Sequence, residues 1–528
     1  MNRLVGIVKK VLPSIFILIA LLSACAVFNQ DESISVILIN AGITYPVKST
    51  AGTSVEQLLK ANNITLNPSD RIIPPLNTVL LGGETIQLVR VTEEFSVIES
   101  VLEFEQQTIK NESLPEGQTV LIQSGVNGLV QTTYRIQFEN GVEVSRSEVK
   151  REIIQPAKPE ILMIGVQSPF SAVEFEGLIA YISSSNAWIM EGNTGNRRVV
   201  TVTGDLDGRI FSISPDREWL LYSRAEGDMT GEHINSLWIV NLGEENPVPI
   251  ATQIEDVVHF ADWIPGNPRA FMYSTVEPRT TAPGWQANND LRVYEFSEAG
   301  KVINDEVLVG ANSGGLYGWW GTTYRSSLDG SRVAYSRPDS IGLVNLKTGK
   351  LQEILQFIPY QPKTDWAWVP GISWSPDGNI LFTSINNKNP LDPSVSEYDL
   401  SGLLVDGGQN IPLVTGCGLF CYAAASQPDE SGKYYVSYLS AITPDQSETS
   451  KYNLNVMDRD GSNRKRLYPG EGLQGLDPQF VAWSPSNTAE TGAWLGFVAN
   501  GNMLLAHIPS GSIKQITGDG SISKIYWR

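Results

Sequence analysis

The stretch SPDGNILFTS, residues 375–384, decides the fold, because variants of it recur along the chain. Pro376 sets φ near about −65° and Gly378 accepts a positive φ, so the first four residues predict a tight turn. The residues that follow, up to Ser384, are mostly apolar and predict a short buried strand. The other copies are SPDREWLLYS (214–223), IPGNPRAFMYS (264–274), SLDGSRVAYS (327–336), PDESGKYYVSYLS (428–440) and SPSNTAETGAWLGFVA (484–499).

The copies recur roughly every 50 to 60 residues, a period that predicts a series of similar sheets. A further strand follows most copies: SLWIVNL (236–242), LRVYEF (291–296), GLVNLKTG (342–349) and NLNVMDRDG (453–461). Each repeat is therefore expected to form several antiparallel strands. In this pattern, residues 170–528 resemble the TolB-like, WD-repeat-like β-propellers, which implies blades arranged around a central channel.

The two ends of this region complete each other. GLIAYI (177–182) and NAWIM (186–190) predict the second and third strands of a sheet without a first strand. SISKIYWR (521–528) predicts a first strand without a continuation. Joining them gives a propeller of about seven blades closed by the C-terminal strand, with six or eight blades as alternatives. Such closure protects the sheet edges.

Residues 95–167 predict an elongated β unit. Tyr134, Ile136 and Phe138 alternate on one strand face. Asn140-Gly141 predicts a two-residue hairpin turn, because both central positions of that turn need a positive φ. The strand pattern is expected to resume at Val142.

The same segment resembles the five-glycine domain of bacterial surface proteins. Its five glycines match Gly117, Gly125, Gly128, Gly141 and Gly165. We interpret them as shaping the backbone rather than contacting a ligand. The resemblance implies association with cell-wall glycan, namely polymers that contain N-acetylglucosamine. Some members of that family pair through zinc, but this segment contains no histidine.

Residues 34–92 predict a small ubiquitin-like α+β roll. A hairpin of Ile34–Ile39 and Ile43–Val47 precedes a short helix that begins at Ser54-Val55-Glu56-Gln57, a capping-box pattern. A later strand is expected at Thr85–Val91. The phrases GTSVEQLLKANNITLNPSDRI and GGETIQLVRV resemble the small domain that precedes the five-glycine domain in YabE-like and resuscitation-promoting cell-wall proteins.

The N-terminus predicts export. Arg3, Lys9 and Lys10 precede an apolar run, Ile15–Leu22, that is shorter than the roughly 20 residues needed to span a bilayer. The run ends in Leu22-Ser23-Ala24-Cys25, so residues 1–24 are expected to be a signal peptide. The motif resembles the lipobox of bacterial lipoproteins, which implies a lipidated Cys25, a tether over residues 25–33 and an extracytoplasmic, membrane-anchored protein. A signal peptide without lipidation is the alternative.

The formal net charge of −19 limits the classes of partner that the protein is expected to bind. An acidic surface repels nucleic acid and anionic lipid headgroups, so no nucleic-acid partner is expected. We interpret the acidity as a property that keeps the protein soluble outside the cell.

Two cysteines remain besides Cys25. Cys417 and Cys421 stand in C-G-L-F-C, and outside the cytoplasm they form either a local disulfide or two unpaired thiols. No further Cys and no His lies nearby, so no metal site is expected there. No cofactor is predicted either.

The sequence offers no catalytic motif. Neither a G-x-S-x-G nucleophile elbow nor H-E-x-x-H is present, and the three histidines, His233, His259 and His507, fall in separate repeats. His259 is placed near an inner strand, where it faces either the channel or the core. We therefore expect no catalytic residues and a chain that is not an enzyme.

Tryptophans are the stronger indication of binding. All 13 lie from Trp188 onward. Four fall near the expected starts of blades: Trp319, Trp320, Trp366 and Trp368. Exposed rings of this kind stack on sugars or anchor peptides, whereas buried ones fill the blades, and both interpretations stay open.

Together these patterns favour a membrane-anchored binding or scaffold lipoprotein. The five-glycine domain would associate with cell-wall glycan, and the propeller would recognise an envelope protein or glycan. An envelope polysaccharide or peptidoglycan hydrolase or lyase, with its site in the propeller channel, is the alternative. A spacer that holds a partner away from the membrane is a third hypothesis.

Overall fold

The computed structural model describes residues 33–111, 114, 116–166, 170–226, 232–362, 364–386 and 398–528. The chain folds into two compact units. The first comprises residues up to 109 and 120–163, and the second comprises 110–119 and 164–528. The predicted signal peptide and Cys25 lie outside the described residues. In the described part of the chain, no helix is both long and apolar enough to cross a membrane.

In the part of the chain that the structure describes, ten strands and one α-helix precede the repeats. The helix is α1, Val55–Ala61. The strands are β1 Ser33–Asn40, β2 Ile43–Thr50, β3 Arg71–Ile73, β4 Thr85–Val89, β5 Val91–Leu102, β6 Gln106–Asn111, β7 Thr119–Gln123, β8 Gly128–Glu139, β9 Val142–Gln155 and β10 Glu160–Gly165. They form three sheets in the orders β2-β1-β4-β3, β5-β8-β9 and β6-β10-β7.

Side-chain hydrogen bonds define the start of α1, and one face of the helix is buried. The hydroxyl of Ser54 accepts the Gln57 N–H at 3.3 Å, and the Gln57 side chain accepts the Ser54 N–H at 2.9 Å, which confirms the predicted capping box. Val55, Leu58 and Leu59 are buried on one face of the helix. They pack on strand residues such as Val36 and Leu38, so this small unit has a core of its own.

The remaining strands belong to the second unit. They are β11 Glu174–Ser183, β12 Asn186–Asn193, β13 Arg197–Val199, β14 Leu206–Ile213, β15 Trp219–Ala225, β16 Asn235–Asn241, β17 Ile250–Glu255, β18 Ala261–Ile264, β19 Asn267–Tyr273, β20 Val276–Pro278, β21 Trp285–Ala287, β22 Leu291–Phe296, β23 Val302–Val309, β24 Thr323–Ser326, β25 Val333–Ser336, β26 Ser340–Val344, β27 Leu351–Gln356, β28 Ile372–Trp374, β29 Ile380–Ile385, β30 Asp399–Leu404, β31 Asn410–Val414, β32 Ala424–Ala425, β33 Tyr435–Ala441, β34 Tyr452–Asp458, β35 Lys465–Tyr468, β36 Ala482–Trp483, β37 Trp494–Ala499, β38 Asn502–His507, β39 Ser512–Gln515 and β40 Ile522–Trp527. A 3₁₀ turn spans Pro444–Gln446.

Among the described residues, 28 of these strands form seven four-stranded antiparallel sheets. We number them by their strand orders: sheet 1 is β40-β11-β12-β13, sheet 2 β14-β15-β16-β17, sheet 3 β18-β19-β22-β23, sheet 4 β24-β25-β26-β27, sheet 5 β28-β29-β30-β31, sheet 6 β32-β33-β34-β35 and sheet 7 β36-β37-β38-β39. The strand named first is called the first strand of its sheet. In sheet 1 the last strand of the chain pairs with β11, with Ile179 opposite Trp527.

Turns of the Ser-Pro-Asp-Gly type join first and second strands, and a serine organises several of them. The Ser375 hydroxyl donates to Asp377 at 2.5 Å and accepts the N–H of Ile380 at 2.9 Å. Ser327 makes the same pair of bonds with Asp329 and Arg332. The serine thus satisfies a main-chain donor where the ladder begins, which explains why this residue type recurs at the turn.

Apolar clusters lie between sheets that follow one another in sequence. Sheets 2 and 3 share Leu221, Phe271 and Tyr294, for example, and sheets 5 and 6 share Phe382, Val436 and their neighbours. Because both faces of a strand are covered in this way, β15 and β29 read as nearly continuous apolar runs.

Candidate functional site

Charged side chains are concentrated in the first strands of four successive sheets. We call this set the charged arc, and it consists of Lys524, Asp207, Arg209, Asp262 and Arg325. They come from β40, β14, β18 and β24, the first strands of sheets 1 to 4. The first strands of sheets 5 to 7 carry no charged residue: they read ISW, AA and AW.

Lys524 joins two neighbouring first strands. Its ammonium group donates to the main-chain carbonyls of Gly208 at 2.7 Å and Arg209 at 3.0 Å. Burial lowers the pKa of Lys524 to about 8, with the positive charge of Arg325 acting in the same direction and the carboxylates of Asp207 and Asp262 opposing it. The ammonium is thus held in place by sheet 2 while it keeps its charge at neutral pH.

Asp207 is fully engaged by its own sheet. It accepts hydrogen bonds from the Ser223 hydroxyl and from the Asn235 amide, the latter at 2.8 Å. The Arg209 guanidinium lies 3.6 Å from the same carboxylate. Asp207 is therefore a structural member of the arc.

Arg325 has a looser environment. Its guanidinium lies 3.7 Å from the Asp262 carboxylate and 5.6 Å from the centre of the Phe480 ring. The side chain is 38% exposed, and that of Asp262 is 22% exposed. Arg209 is similar, since its guanidinium lies 5.4 Å from the Trp285 ring and its side chain is 36% exposed. Each arginine thus reaches solvent beside an aromatic ring.

An aromatic cluster surrounds His259. The imidazole lies 5.6 Å from the Trp285 ring and 5.8 Å from that of Trp320. The Trp285 indole donates to the Trp320 carbonyl at 2.8 Å, and Trp319 meets Trp320 edge-on at 5.9 Å. Burial lowers the pKa of His259 to about 4, so the ring is neutral at physiological pH. The histidine belongs to this packed cluster.

A second aromatic cluster contains the other two predicted tryptophans. Trp368 is 2% exposed and donates its indole N–H to the Leu419 carbonyl at 3.1 Å, so it is a core residue. Trp366 is half-buried, with its ring 6.5 Å from that of Phe420. The loop that carries these contacts is closed by a disulfide between Cys417 and Cys421.

The second cluster extends to the charged arc. The Phe420 ring lies 5.8 Å from that of Tyr422, which stacks on Phe480 at 4.4 Å. The guanidinium of Arg325 lies over the Phe480 ring. A side chain at Gly371 would clash with Tyr422, so the glycine makes room for this stack. We use the name aromatic rim for the half-exposed rings that contact the arc directly or through other rings: Trp285, Trp319, Trp320, Trp366, Phe420, Tyr422 and Phe480.

The side chains at this face are not arranged as metal ligands. Within the described ranges, no three His, Cys, Asp or Glu side chains are grouped so that they would bind a metal ion. His233 lies apart and contacts Asp256 at 3.0 Å and Glu255 at 3.2 Å. The chemistry available at the rim is therefore that of guanidinium, ammonium, carboxylate and aromatic groups.

The five predicted glycines lie outside this face. Gly141 has φ +81° in the turn between β8 and β9, and a Cβ on Gly128 would lie 2.3 Å from the Gln155 carbonyl oxygen. Gly125 sits against the Phe104 ring, and the Gly117 N–H donates to the Gly165 carbonyl at 3.1 Å.

Sequence reasoning missed the charged arc. Its members lie between residues 207 and 524, and no motif connects them. The signal available was a charged residue inside a strand with apolar neighbours, as Lys524 in ISKIYW and Arg325 in TYRS show. Of the tryptophans that were predicted, Trp319, Trp320 and Trp366 belong to the rim and Trp368 does not.

Comparison with known families assigns the segment before the repeats. Residues 93–167 match the G5 domain, and residues 36–77 match the G5-linked-Ubiquitin-like domain. The two resemblances expected for these segments are confirmed.

Two curated proteins are similar to a part of this chain. Resuscitation-promoting factor RpfB of Mycolicibacterium smegmatis is 26% identical over 151 residues, which are 28% of this chain and 41% of the relative. The "Putative cell wall shaping protein YabE" of Bacillus subtilis is 27% identical over 176 residues, 33% of this chain and 42% of the relative. The chain thus spans less than half the length of either relative.

One of the similar solved structures is the periplasmic gluconolactonase PpgL of Pseudomonas aeruginosa. It is 13% identical with a TM-score of 0.41, and the match covers 67% of this chain and 98% of that structure. The expectation that the chain is not an enzyme is contradicted by the similarity to the resuscitation-promoting factor RpfB. We drop that expectation and assign no reaction.

Proposed function

We propose that this chain is an extracytoplasmic, cell-wall-associated protein that binds glycan through residues 93–167 and recognises a ligand through its second unit. The match of residues 93–167 to the G5 domain carries the proposal. Relatives named for cell-wall shaping and for resuscitation promotion support it. The glycan we propose for this segment contains N-acetylglucosamine.

In this proposal the seven sheets are the blades of a propeller over residues 170–528. Pairing of β40 with β11 supports closure of sheet 1 by the C-terminal strand. Shared apolar clusters between successive sheets support a ring, as does the contact of the Ile525 side chain of sheet 1 with Gly496 of sheet 7. In such a ring the first strands line the central channel.

Ligand recognition is assigned to the mouth of that channel. The charged arc and the aromatic rim meet there through the contacts of Arg325 with Phe480 and of Arg209 with Trp285. Rings held by neighbouring hydrogen bonds provide rigid apolar surfaces, and half-exposed guanidinium groups provide directed donors. This combination supports binding of a polar ligand that has an apolar face.

Cosedimentation tests the glycan part of the proposal. Purified protein is mixed with insoluble peptidoglycan or with chitin and centrifuged, and the experiment is repeated after muramidase digestion of the peptidoglycan. We expect the protein to pellet with both polymers, to stay in the supernatant after digestion, and to be released by N-acetylglucosamine oligomers. Pelleting that digestion and oligomers leave unchanged would overturn glycan binding, as would no pelleting at all.

The anchor is proposed at Cys25, after removal of residues 1–24. Two acyl chains hold a protein on a bilayer stably, whereas one does so weakly. The protein expressed in its bacterial host should therefore partition into detergent, and mass spectrometry should find an acylated peptide that begins at Cys25. A Cys25→Ser variant recovered from the membrane in the same amount would contradict this part of the proposal.

A further inference from the structure

Most partly buried arginines of the second unit are occupied by main-chain carbonyls or carboxylates. Arg197 donates to the Ile516 carbonyl at 2.8 Å, and Arg224 binds Asp205 through two nitrogens at 2.9 and 2.6 Å. These arginines hold sheets and loops together. Several of their N–H donors are therefore already used within the protein.

Arg209 and Arg325 differ from these arginines. Within the described residues, neither guanidinium donates a hydrogen bond, and the nearest carboxylate oxygens lie at 3.6 and 3.7 Å. Both side chains are more than a third exposed. A guanidinium with free donors beside a carboxylate at this distance is arranged to take a second anionic partner, since its fork binds two oxygens at once.

Both arginines also lie beside rings of the aromatic rim. Arg325 lies over Phe480, which is 40% exposed and stacked on Tyr422. Arg209 lies over Trp285, which Trp320 holds by the indole hydrogen bond. Lys524, which donates to the main-chain carbonyls of Gly208 and Arg209, adds a third positive charge to this mouth. The arc thus holds three cations and two carboxylates, and in a chain of net charge −19 this local excess of positive charge favours a ligand with negative charge.

We propose that the charged arc and the aromatic rim bind a carboxylate-bearing saccharide. In this inference, which rests on the proposed function, the sugar stacks on Phe480 or Trp285 and its carboxylate is bound by Arg325 or Arg209. Asp262, 3.7 Å from Arg325, accepts a sugar hydroxyl. The stacked rings favour a saccharide over an acidic peptide, because a pyranose presents a flat face of C–H groups to a ring.

Two sources supply this chemistry, namely uronic acid polymers and the lactyl carboxylate of muramic acid. The probes are therefore trigalacturonic acid and the disaccharide of N-acetylglucosamine and N-acetylmuramic acid. Maltotriose is the neutral control, and a hexaglutamate peptide represents the other class of acidic ligand. Affinities are measured by calorimetry on the purified full chain.

At least one acidic probe should bind. The affinity for maltotriose should be lower by about tenfold or more, as expected for a lost charge-assisted hydrogen bond. Arg325→Gln or Arg209→Gln should weaken that binding about tenfold, and Arg325→Lys should recover part of it. Arg269→Gln is the matched control. Arg269 pairs with Glu298 at a distance of 3.4 Å and belongs to neither the arc nor the rim. Thermal unfolding verifies that each variant is folded.

The inference is overturned if neither acidic saccharide binds, if maltotriose binds as well, if only hexaglutamate binds, or if the two glutamine variants keep full affinity. Cosedimentation with chitin keeps its failure distinct from that of the proposed function. Arg325→Gln should leave the chitin result unchanged, since that binding is assigned to residues 93–167. Failure of the unaltered protein to bind chitin would instead contradict the proposed function.

Discussion

The Trp527 indole donates its N–H to the Glu176 carbonyl at 2.9 Å, which joins residues 351 positions apart in the chain. Trp527 is 8% exposed and meets the Phe175 ring edge-on at 5.5 Å. This contact adds side-chain packing to the ladder between β40 and β11. The last strand is therefore expected to contribute to the stability of the whole second unit.

Trp527→Ala should lower the free energy of unfolding by about 3–5 kcal/mol, because it removes a buried indole and leaves a cavity. Trp527→Phe keeps most of the packing and should cost about 1 kcal/mol for the lost hydrogen bond. Trp494→Ala, at a half-buried position in β37, is the control and should cost clearly less than Trp527→Ala. Denaturant unfolding measures all three, and equal losses for the two alanine variants would argue against a special role of β40.

The disulfide between Cys417 and Cys421 should stabilise the loop that supports the rim. In the chain-entropy treatment, a loop this short contributes about 2 kcal/mol. Replacing both cysteines with alanine should reduce stability by that amount and change the fluorescence of Trp366, which packs near Phe420. Thiol labelling of the unreduced protein should leave both cysteines unmodified, and labelling before reduction would contradict the pairing.

Much of the fold could be predicted where local chemistry determines it. The capping box at Ser54 and the hairpin turn at Asn140-Gly141 each depend on a few adjacent residues, and the structure confirms both. The pairing of β40 with β11 was predictable for a different reason, since one region lacked a first strand and the other lacked a continuation.

The candidate site was less predictable, because contacts between distant residues create it. Trp366 and Trp368 stand in the same short phrase, yet Trp368 is buried on Leu419 and Trp366 is half-buried, a difference that spacing does not show. Arg325 lies in β24 and Phe480 in the loop between β35 and β36, so their contact depends on the tertiary fold. The expectation that the chain is not an enzyme was wrong for a related reason, since the absence of a sequence motif does not exclude a site assembled from separate strands.

Two glycines of the 93–167 segment should differ in their tolerance of a methyl group. A Cβ on Gly128 would lie 2.3 Å from the Gln155 carbonyl and 2.5 Å from the Ala157 nitrogen, so the backbone would have to move. Gly128→Ala should cost about 3 kcal/mol or more. Gly141 has φ +81° with open space around it, and Gly141→Ala should cost only about 1–2 kcal/mol. Thermal unfolding compares them, and a reversed order would contradict the close approach at Gly128.

His259 and His233 should affect stability with opposite dependence on pH. Burial lowers the pKa of His259 to about 4, whereas the hydrogen bond with Asp256 raises the pKa of His233. Between about pH 6.5 and 4 the unfolded chain protonates residue 259 and the folded chain does not. As the pH is lowered through this range, the contribution of His259 to the free energy of unfolding therefore decreases by up to about 1.4 kcal/mol per pH unit. The contribution of His233 is complete below about pH 6.5 and is lost as pH rises through its raised folded-state pKa.

Urea unfolding of the unaltered protein, His259→Gln and His233→Gln from pH 4.5 to 8 separates these effects from the titration of the carboxylates. The stability difference between the unaltered protein and His259→Gln should shrink as the pH is lowered, because the variant no longer carries a buried neutral imidazole. The difference for His233→Gln should grow over the same range, since protonated His233 gains its carboxylate partners. Parallel curves for the two variants would show that His259 takes up a proton in the folded state, which the enclosure by Trp285 and Trp320 opposes.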